Sequence, residues 1–337
     1  MIIAMKPGAP EKEILKVEAI LHDDGVQSER IEGTDMVVIG AIGNTRALDP
    51  KAFLGNRWVK KVTRIQEPYK RVSRNYHEAD SIVNVSGVAI GGDRFTVIAG
   101  PCSVETDEEM AVVSHAVKEA GASLLRGGAF KPRTSPYSFQ GLGIKGLDML
   151  KAAGAKEGLP IVTEIISPDQ VELFDEKVDL IQVGARNMQN FALLKELGQC
   201  RTPVLLKRGM AATIEEWLLA AEYILAGGNK NVIFCERGIR TYESYTRNTL
   251  DLSAVAAVKR LSHLPVIVDP SHAAGRWDLV EPLSLAAAAV GADGLIVEVH
   301  NDPEHALSDG AQSLKPDTFA AMMAHLEPVV RAMGKRL

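Results

Sequence analysis

The sequence predicts a (β/α)8 TIM barrel preceded by a small α+β domain of ferredoxin-like type, an α/β protein overall. Three observations carry this expectation. From Phe95 onward, eight short apolar runs alternate with longer helical stretches, the signature of a parallel sheet with crossover helices. Eight such units in about 250 residues are the usual size of a closed barrel. Before them, roughly the first 70 residues keep a different, βαββ-type rhythm.

In that first region MIIAMK reads as a strand, and EKEILKVEAILHDDG as an amphipathic helix stopped by Gly25. Strands are expected at Val26–Ile31 and Asp35–Ile42, then a short helix from Pro50 and a last strand at Trp58–Ile65. The small domain is placed at 1–66, a polar and charged linker at 67–80, and the barrel domain at 81–337. Ser81–Asp93, SIVNVSGVAIGGD, reads as a hairpin placed to cap the N-terminal mouth of the barrel.

The eight barrel strands are expected at Phe95–Gly100, Ser123–Gly127, Pro160–Ile165, Asp179–Gly184, Pro203–Lys207, Asn231–Glu236, Pro265–Asp269 and Gly294–Val299. A doubly wound open sheet is the competing architecture. It calls for GxGxxG after its first strand, and the chain has AGPCSVE there.

With 337 residues, 46% hydrophobic and 24% charged, the chain can bury a large core. A net charge of −5 argues against nucleic acid or an anionic membrane as the main partner, so any basic site must be local. Cys102, Cys200 and Cys235 are too few for a disulfide framework and form no CxxC pair. Cys200 and Cys235 read as structural, and a reducing cytoplasm fits. Neither a signal peptide nor a membrane span is expected from the apolar runs.

Loops on the C-terminal face of a barrel converge over its mouth, so strand ends are where chemistry should gather. Arg126, Lys131, Arg186, Lys207 and Arg237 are cations at such ends in an acidic protein. Converging charges of one sign call for an anion carrying phosphate and carboxylate. Arg133, Thr134 and Ser135, beside Pro132, can hold a second phosphate.

A second set is Cys102, His272, Glu298 and Asp309. A thiolate, an imidazole and two carboxylates suit one divalent ion of borderline softness, Mn, Fe, Co or Zn. Each member also has a plainer reading. Cys102 fits a small buried hydrophobe, Ser271-His272 a helix cap, and Asp309-Gly310 a turn. His300 shares a strand face with Glu298 and competes as a ligand.

These residues lie in AGPCS (99–103), RGGAFKPRTSPYSFQG (126–141), GARN (184–187), LLKRG (205–209), CERGIRTYE (235–243), DPSH (269–272) and EVH (298–300). In these motifs the chain resembles 3-deoxy-D-arabino-heptulosonate 7-phosphate (DAHP) synthases of type I, in the subgroup with an N-terminal ferredoxin-like domain. The resemblance implies condensation of phosphoenolpyruvate with erythrose 4-phosphate and water, the first step of the shikimate pathway. It implies a metal on Cys102, His272, Glu298 and Asp309, with Lys131 and Glu164 handling water and proton. Phosphoenolpyruvate is then bound by Arg126, Lys131, Ala185 with Arg186, Lys207 and Arg237, with Asp269 of DPSH counted beside them. Erythrose 4-phosphate falls to Lys131, Pro132, Arg133, Thr134 and Ser135. The resemblance further implies a homotetramer and an aromatic amino acid effector at the small domain.

Synthases of 3-deoxy-octulosonate 8-phosphate resemble the chain around the metal, but typically carry an ANRSS-type stretch where KPRTS stands here. That difference favours the four-carbon aldehyde. A Schiff-base aldolase built on Lys207 and a phospho-metabolite binding module are the competing readings, separated by borohydride trapping and by turnover.

Overall fold

In this computed structural model, residues 1–32, 36–43, 45, 48–63, 68–133 and 135–337 are described. Asp35, Arg64, Ile65, the expected domain limit at Gln66 and Glu67, and the site candidate Thr134 lie outside the described residues. Two compact units emerge: Met1–Ala79 with Leu261–His263, and Asp80–Arg260 with Leu264–Leu337.

In the first unit, β1 (Ile2–Met5), α1 (Glu11–Asp23), β2 (Gln27–Glu32), β3 (Val37–Ile42), α2 (Pro50–Leu54) and β4 (Val59–Thr63) follow in order. The strands form one antiparallel sheet, β2-β3-β1-β4. Helix α1 buries Ile14, Val17 and Leu21, one stripe at helical spacing. That stripe belongs to the same core as Ile3, Met5, Ile39 and Phe53 of the sheet and α2. Pro50 opens α2, and Asp49 accepts the Lys51 N–H, which fixes where that short helix starts.

The second unit begins with a hairpin, β5 (Val83–Val85) and β6 (Val88–Ile90). Barrel strands and helices then alternate: β7 (Thr96–Gly100), α3 (Asp107–Glu119), β8 (Leu124–Arg126), α4 (Ile144–Glu157), β9 (Ile161–Ile165), α5 (Val171–Lys177), β10 (Leu180–Val183), α6 (Phe191–Leu197), β11 (Val204–Lys207), α7 (Ile214–Gly227), β12 (Val232–Glu236), α8 (Leu252–Leu261), β13 (Val266–Val268), α9 (Pro270–Ala274), α10 (Val280–Ala289), β14 (Gly294–Glu298) and α11 (Pro316–Ala332). Capping boxes at Thr106/Glu109 and Thr213/Glu216 start α3 and α7 by satisfying their free N–H groups.

All eight strands are parallel, and β14 pairs with β7 from Gly294↔Thr96 to Glu298↔Gly100. That pairing closes the sheet and removes the open-sheet alternative. Ile98, Leu124, Val162, Leu180, Leu205, Ile233, Ile267 and Ile296 fill the interior together with Cys235. Each fully buried aliphatic side chain contributes about 1.5–3 kcal/mol. Val83, Val85 and Ile90 of the hairpin join this cluster, and Ser86 Oγ donates to Asp179 just ahead of β10. The N-terminal mouth is thereby covered, which leaves the opposite end for loops. Among the described residues no helix is long and apolar enough to cross a membrane.

Candidate active site and metal centre

Strand ends set the site. Gly100, at the end of β7, has φ +148°, and a Cβ there would lie 2.1 Å from the Arg126 carbonyl of β8. Only glycine permits that approach, and it sets the Cys102 loop against the end of β8. Cys102 is buried, with Sγ 3.0 Å from Lys131 Nζ, 3.2 Å from Ser308 Oγ and 3.3 Å from Asp309 Oδ2.

Across the barrel mouth, Asp269 follows β13 and accepts the His272 N–H at 2.9 Å, so His272 rides on the first turn of α9. Its Nδ1 lies 2.7 Å from Asp269 and its Nε2 3.4 Å from Glu298 Oε1. Glu298 ends β14 and is fully enclosed. Asp309 adopts the left-handed region at φ 52°, which Asp tolerates better than most residues and which turns its carboxylate inward. One donor atom from each of Cys102, His272, Glu298 and Asp309 lies within 4.8 Å of the others.

The charges at this cluster suit a cation. Burial lowers the pKa of His272 against the pull of Asp269 and Glu298, which leaves the ring neutral and able to ligate. Burial alone would raise the Glu298 carboxyl, but His272, Arg126 and Lys131 outweigh it and hold it well below the usual carboxylate range. Burial and Glu298 push Asp309 up, and His272, Arg247 and Lys131 bring it down on balance. Burial, with Glu298, pushes the Cys102 thiol up to about 11 despite Lys131 and Arg126. A buried thiol beside two ionised carboxylates and a neutral imidazole whose far nitrogen faces a carboxylate is a donor set that fits a divalent ion.

His300 does not join this set. Its Nδ1 accepts the Asp302 N–H at 3.0 Å, so the ring proton sits on Nε2, which faces Glu109 at 3.3 Å and Glu105 at 3.8 Å. The strand that would have put it beside Glu298 ends at Glu298, and Val299 after it forms only an isolated bridge to Leu314.

Beside the cluster runs a cleft lined by Lys131, Pro132, Arg133, Glu164, Ala185, Arg186, Lys207 and Arg237, and also by Met210 and Arg247. Lys131 is held by the Cys102 carbonyl at 2.9 Å. Arg133 donates to Ser308 Oγ and to the Phe139 carbonyl. Glu164 of β9 accepts from Gln182 at 3.0 Å, and a Cβ on Gly184 would fall 1.9 Å from its Oε1, so that glycine makes room for the carboxylate.

Two of the expected cations bring their own counter-charges. Arg126 contacts Glu298, and Lys207 lies 2.5 Å from Asp269. Lys207 still lines the cleft, whereas Arg126 and Asp269 are not among its lining residues. Asp269, expected among substrate-binding groups, is committed to Lys207 and His272 because a buried carboxylate needs nearby donors. Ser135 is exposed, its hydroxyl accepting the Tyr137 N–H, and lies off the lining. Arg237 is different: it is 4% exposed, its Nη1 has no hydrogen-bond partner among the described residues, and burial lowers its pKa against the pull of Asp269. A buried, unpaired guanidinium N–H on a cleft wall is the place for an anionic oxygen. Ser308, Arg247, Gln182 and Gln312 were not singled out by the sequence, because each gains meaning only from a neighbour remote along the chain.

Fold and site together define a (β/α)8-barrel enzyme with an anion-accepting cleft beside a cluster of potential metal ligands. The chain belongs to the DAHP synthetase I family, whose model matches residues 70–332, and the DAHP synthase ferredoxin-like domain matches residues 1–67. It is 50% identical over 337 residues, the whole of both chains, to a phospho-2-dehydro-3-deoxyheptonate aldolase of Thermotoga maritima. The crystal structure of the Thermotoga maritima phospho-2-dehydro-3-deoxyheptonate aldolase superposes with a TM-score of 0.79 at 49% identity, over 99% of this chain and 98% of that one. A 2-dehydro-3-deoxyphosphooctonate aldolase of Geobacter sulfurreducens is 32% identical over 269 residues, 73% of this chain and 97% of the relative.

Proposed function

We propose that this enzyme condenses phosphoenolpyruvate with erythrose 4-phosphate and water to give DAHP and phosphate, the first step of the shikimate pathway. The observation that carries this reading is Arg237 Nη1, without a hydrogen-bond partner among the described residues, on a cleft that also presents Arg186, Lys131 and Arg133. The likeness over the full chain, small domain included, to a heptonate aldolase favours the four-carbon aldehyde over the five-carbon one.

In the proposed reaction, C3 of phosphoenolpyruvate bonds to the aldehyde carbon, water bonds to C2, and the C2–O bond to phosphate breaks. Arg237, Arg186 and Lys207 hold the enol phosphate and its carboxylate in reach of the aldehyde, which lowers the entropic part of the barrier. Arg133 is placed to take the phosphate of the second substrate. Glu164 is placed to take a proton from the attacking water, and Lys131 to deliver one. The ion proposed on Cys102, His272, Glu298 and Asp309 supplies Lewis acidity toward the aldehyde oxygen.

The direct test is phosphate release from phosphoenolpyruvate with erythrose 4-phosphate or arabinose 5-phosphate, with and without added Mn²⁺, Co²⁺ or Zn²⁺. Release with erythrose 4-phosphate alone, dependent on the ion, is expected. A preference for arabinose 5-phosphate would transfer the chain to the octulosonate reaction.

Metal binding should also report on the thiol. At neutral pH Cys102 carries its proton, since its pKa stands near 11, while His272 is neutral and both carboxylates are ionised. Loading then releases one proton, so apparent affinity should rise about tenfold per pH unit between about pH 7 and 8. A slope near zero in calorimetric titrations would remove the thiol from the ligand set.

We further infer a cytoplasmic homotetramer and an aromatic amino acid effector at the ferredoxin-like domain. Inhibition of phosphate release by phenylalanine or tyrosine, lost when residues 1–67 are replaced by those of an insensitive relative, tests the effector.

A further inference from the structure

We infer that Gln312 and Arg247 are positioning residues that make Glu298 and Asp309 single-oxygen ligands, each holding one carboxylate oxygen outward so that only the other faces the ion. The inference rests on the metal centre proposed above and concerns how that centre is kept open.

Gln312 is 2% exposed and both ends of its amide are engaged. Nε2 donates to Glu298 Oε2 at 2.6 Å, and Oε1 accepts from Arg247 Nη1 at 3.0 Å. The partners dictate this orientation, since a carboxylate only accepts and a guanidinium only donates. The other oxygen, Glu298 Oε1, accepts from Arg126 Nη1 and lies 3.4 Å from His272 Nε2, so its second lone pair is the one left for the ion.

Asp309 repeats the arrangement. Its Oδ1 accepts from Arg247 Nη1 at 3.1 Å, and its Oδ2 lies 3.3 Å from Cys102 Sγ. In both carboxylates one oxygen is held by this pair of donors and the other faces the cluster, Glu298 Oε1 sharing that side with Arg126. Arg247 Nη1 serves both arms, which makes Arg247 and Gln312 one relay.

Local folding places the relay. Leu314 N–H donates to the Glu298 carbonyl and the His300 N–H to the Leu314 carbonyl, both at 2.9 Å, which lays the Gln312 turn alongside the end of β14. Gly310 keeps the turn tight, since a Cβ there would fall 1.9 Å from the Pro303 carbonyl. Donors beyond the ligands orient them and commonly control metal affinity. Limiting two carboxylates to one oxygen each leaves more of the coordination sphere for a substrate oxygen.

Co²⁺ binding to the full-length protein tests this, because its thiolate absorption reports Cys102 while its d–d bands report coordination number. Gln312→Met is expected to weaken Co²⁺ binding about 10- to 100-fold, keep the thiolate band and alter the d–d bands. Arg247→Met, at a side chain 39% exposed and so tolerant of change, is expected to weaken binding in the same direction. The double variant should lose less than the sum of the two if they form one relay. Unchanged Co²⁺ affinity in both single variants, or strictly additive losses, overturns the inference. Wild-type protein that binds Co²⁺ without a thiolate band would instead remove the metal centre itself.

Discussion

Arg237→Met is expected to raise the thermal midpoint of the ligand-free protein while lowering kcat/KM for phosphoenolpyruvate by about 100- to 1,000-fold. The two effects share one cause. Arg237 is buried at the end of β12, its Nη1 has no partner among the described residues, and its Nη2 donates to the His272 carbonyl at 3.5 Å. The fold holds a charge it does not fully satisfy, and the lowered pKa records the same penalty. An unsatisfied buried donor costs about 1–3 kcal/mol, so an apolar side chain of similar length should return a few degrees of thermal midpoint. The phosphate or carboxylate of the substrate cancels that cost in the complex, and its loss there is the loss of a buried, charge-assisted contact. Thermal melts and steady-state kinetics on one preparation decide it. If stability and catalysis fall together, Arg237 is a structural residue.

Cys102→Ala is expected to abolish tight metal binding and to reduce turnover by on the order of 1,000-fold or more, the scale of a lost Lewis acid. The substitution removes one donor from a cluster whose members otherwise come from α9, β14 and the loop after β14. The fold should persist, because a small buried thiol packs much as an alanine does. Strong chelation of the wild type should give the same loss, reversed by returning the ion. Elemental analysis alongside the rate checks both, and a variant with normal metal content and rate would show the thiol to be structural.

Much of this site lies in plain view along the chain. Its cleft residues stand at the ends of apolar runs, where barrel geometry gathers loops, and motifs such as KPRTS, GARN and DPSH single them out. What the chain leaves open is the pairing of charges. Arg126 and Lys207 look alike as strand-end cations, yet each faces a buried carboxylate, whereas Arg237 keeps an N–H without a partner among the described residues. The counter-charges come from residues 172 and 62 positions away, and such separations carry no local signal. His300 illustrates a second kind of gap. A strict two-residue alternation puts it beside Glu298, but the strand ends at Glu298 and the His300 ring faces Glu105 and Glu109.

The order of elements, the barrel and the ferredoxin-like unit are properties of the sequence, because hydrophobic periodicity and turn chemistry act over a few residues at a time. So are the kinds of donor available: thiol, imidazole and carboxylate at strand ends and in the loop after β14. Tertiary structure alone decided which oxygen of each carboxylate turns inward, which cations are neutralised within the protein and which imidazole meets Glu298. Those outcomes depend on closure of β14 against β7 and on the turn that carries Asp309 and Gln312, and electrostatic partners are fixed by distance in space rather than by separation along the chain.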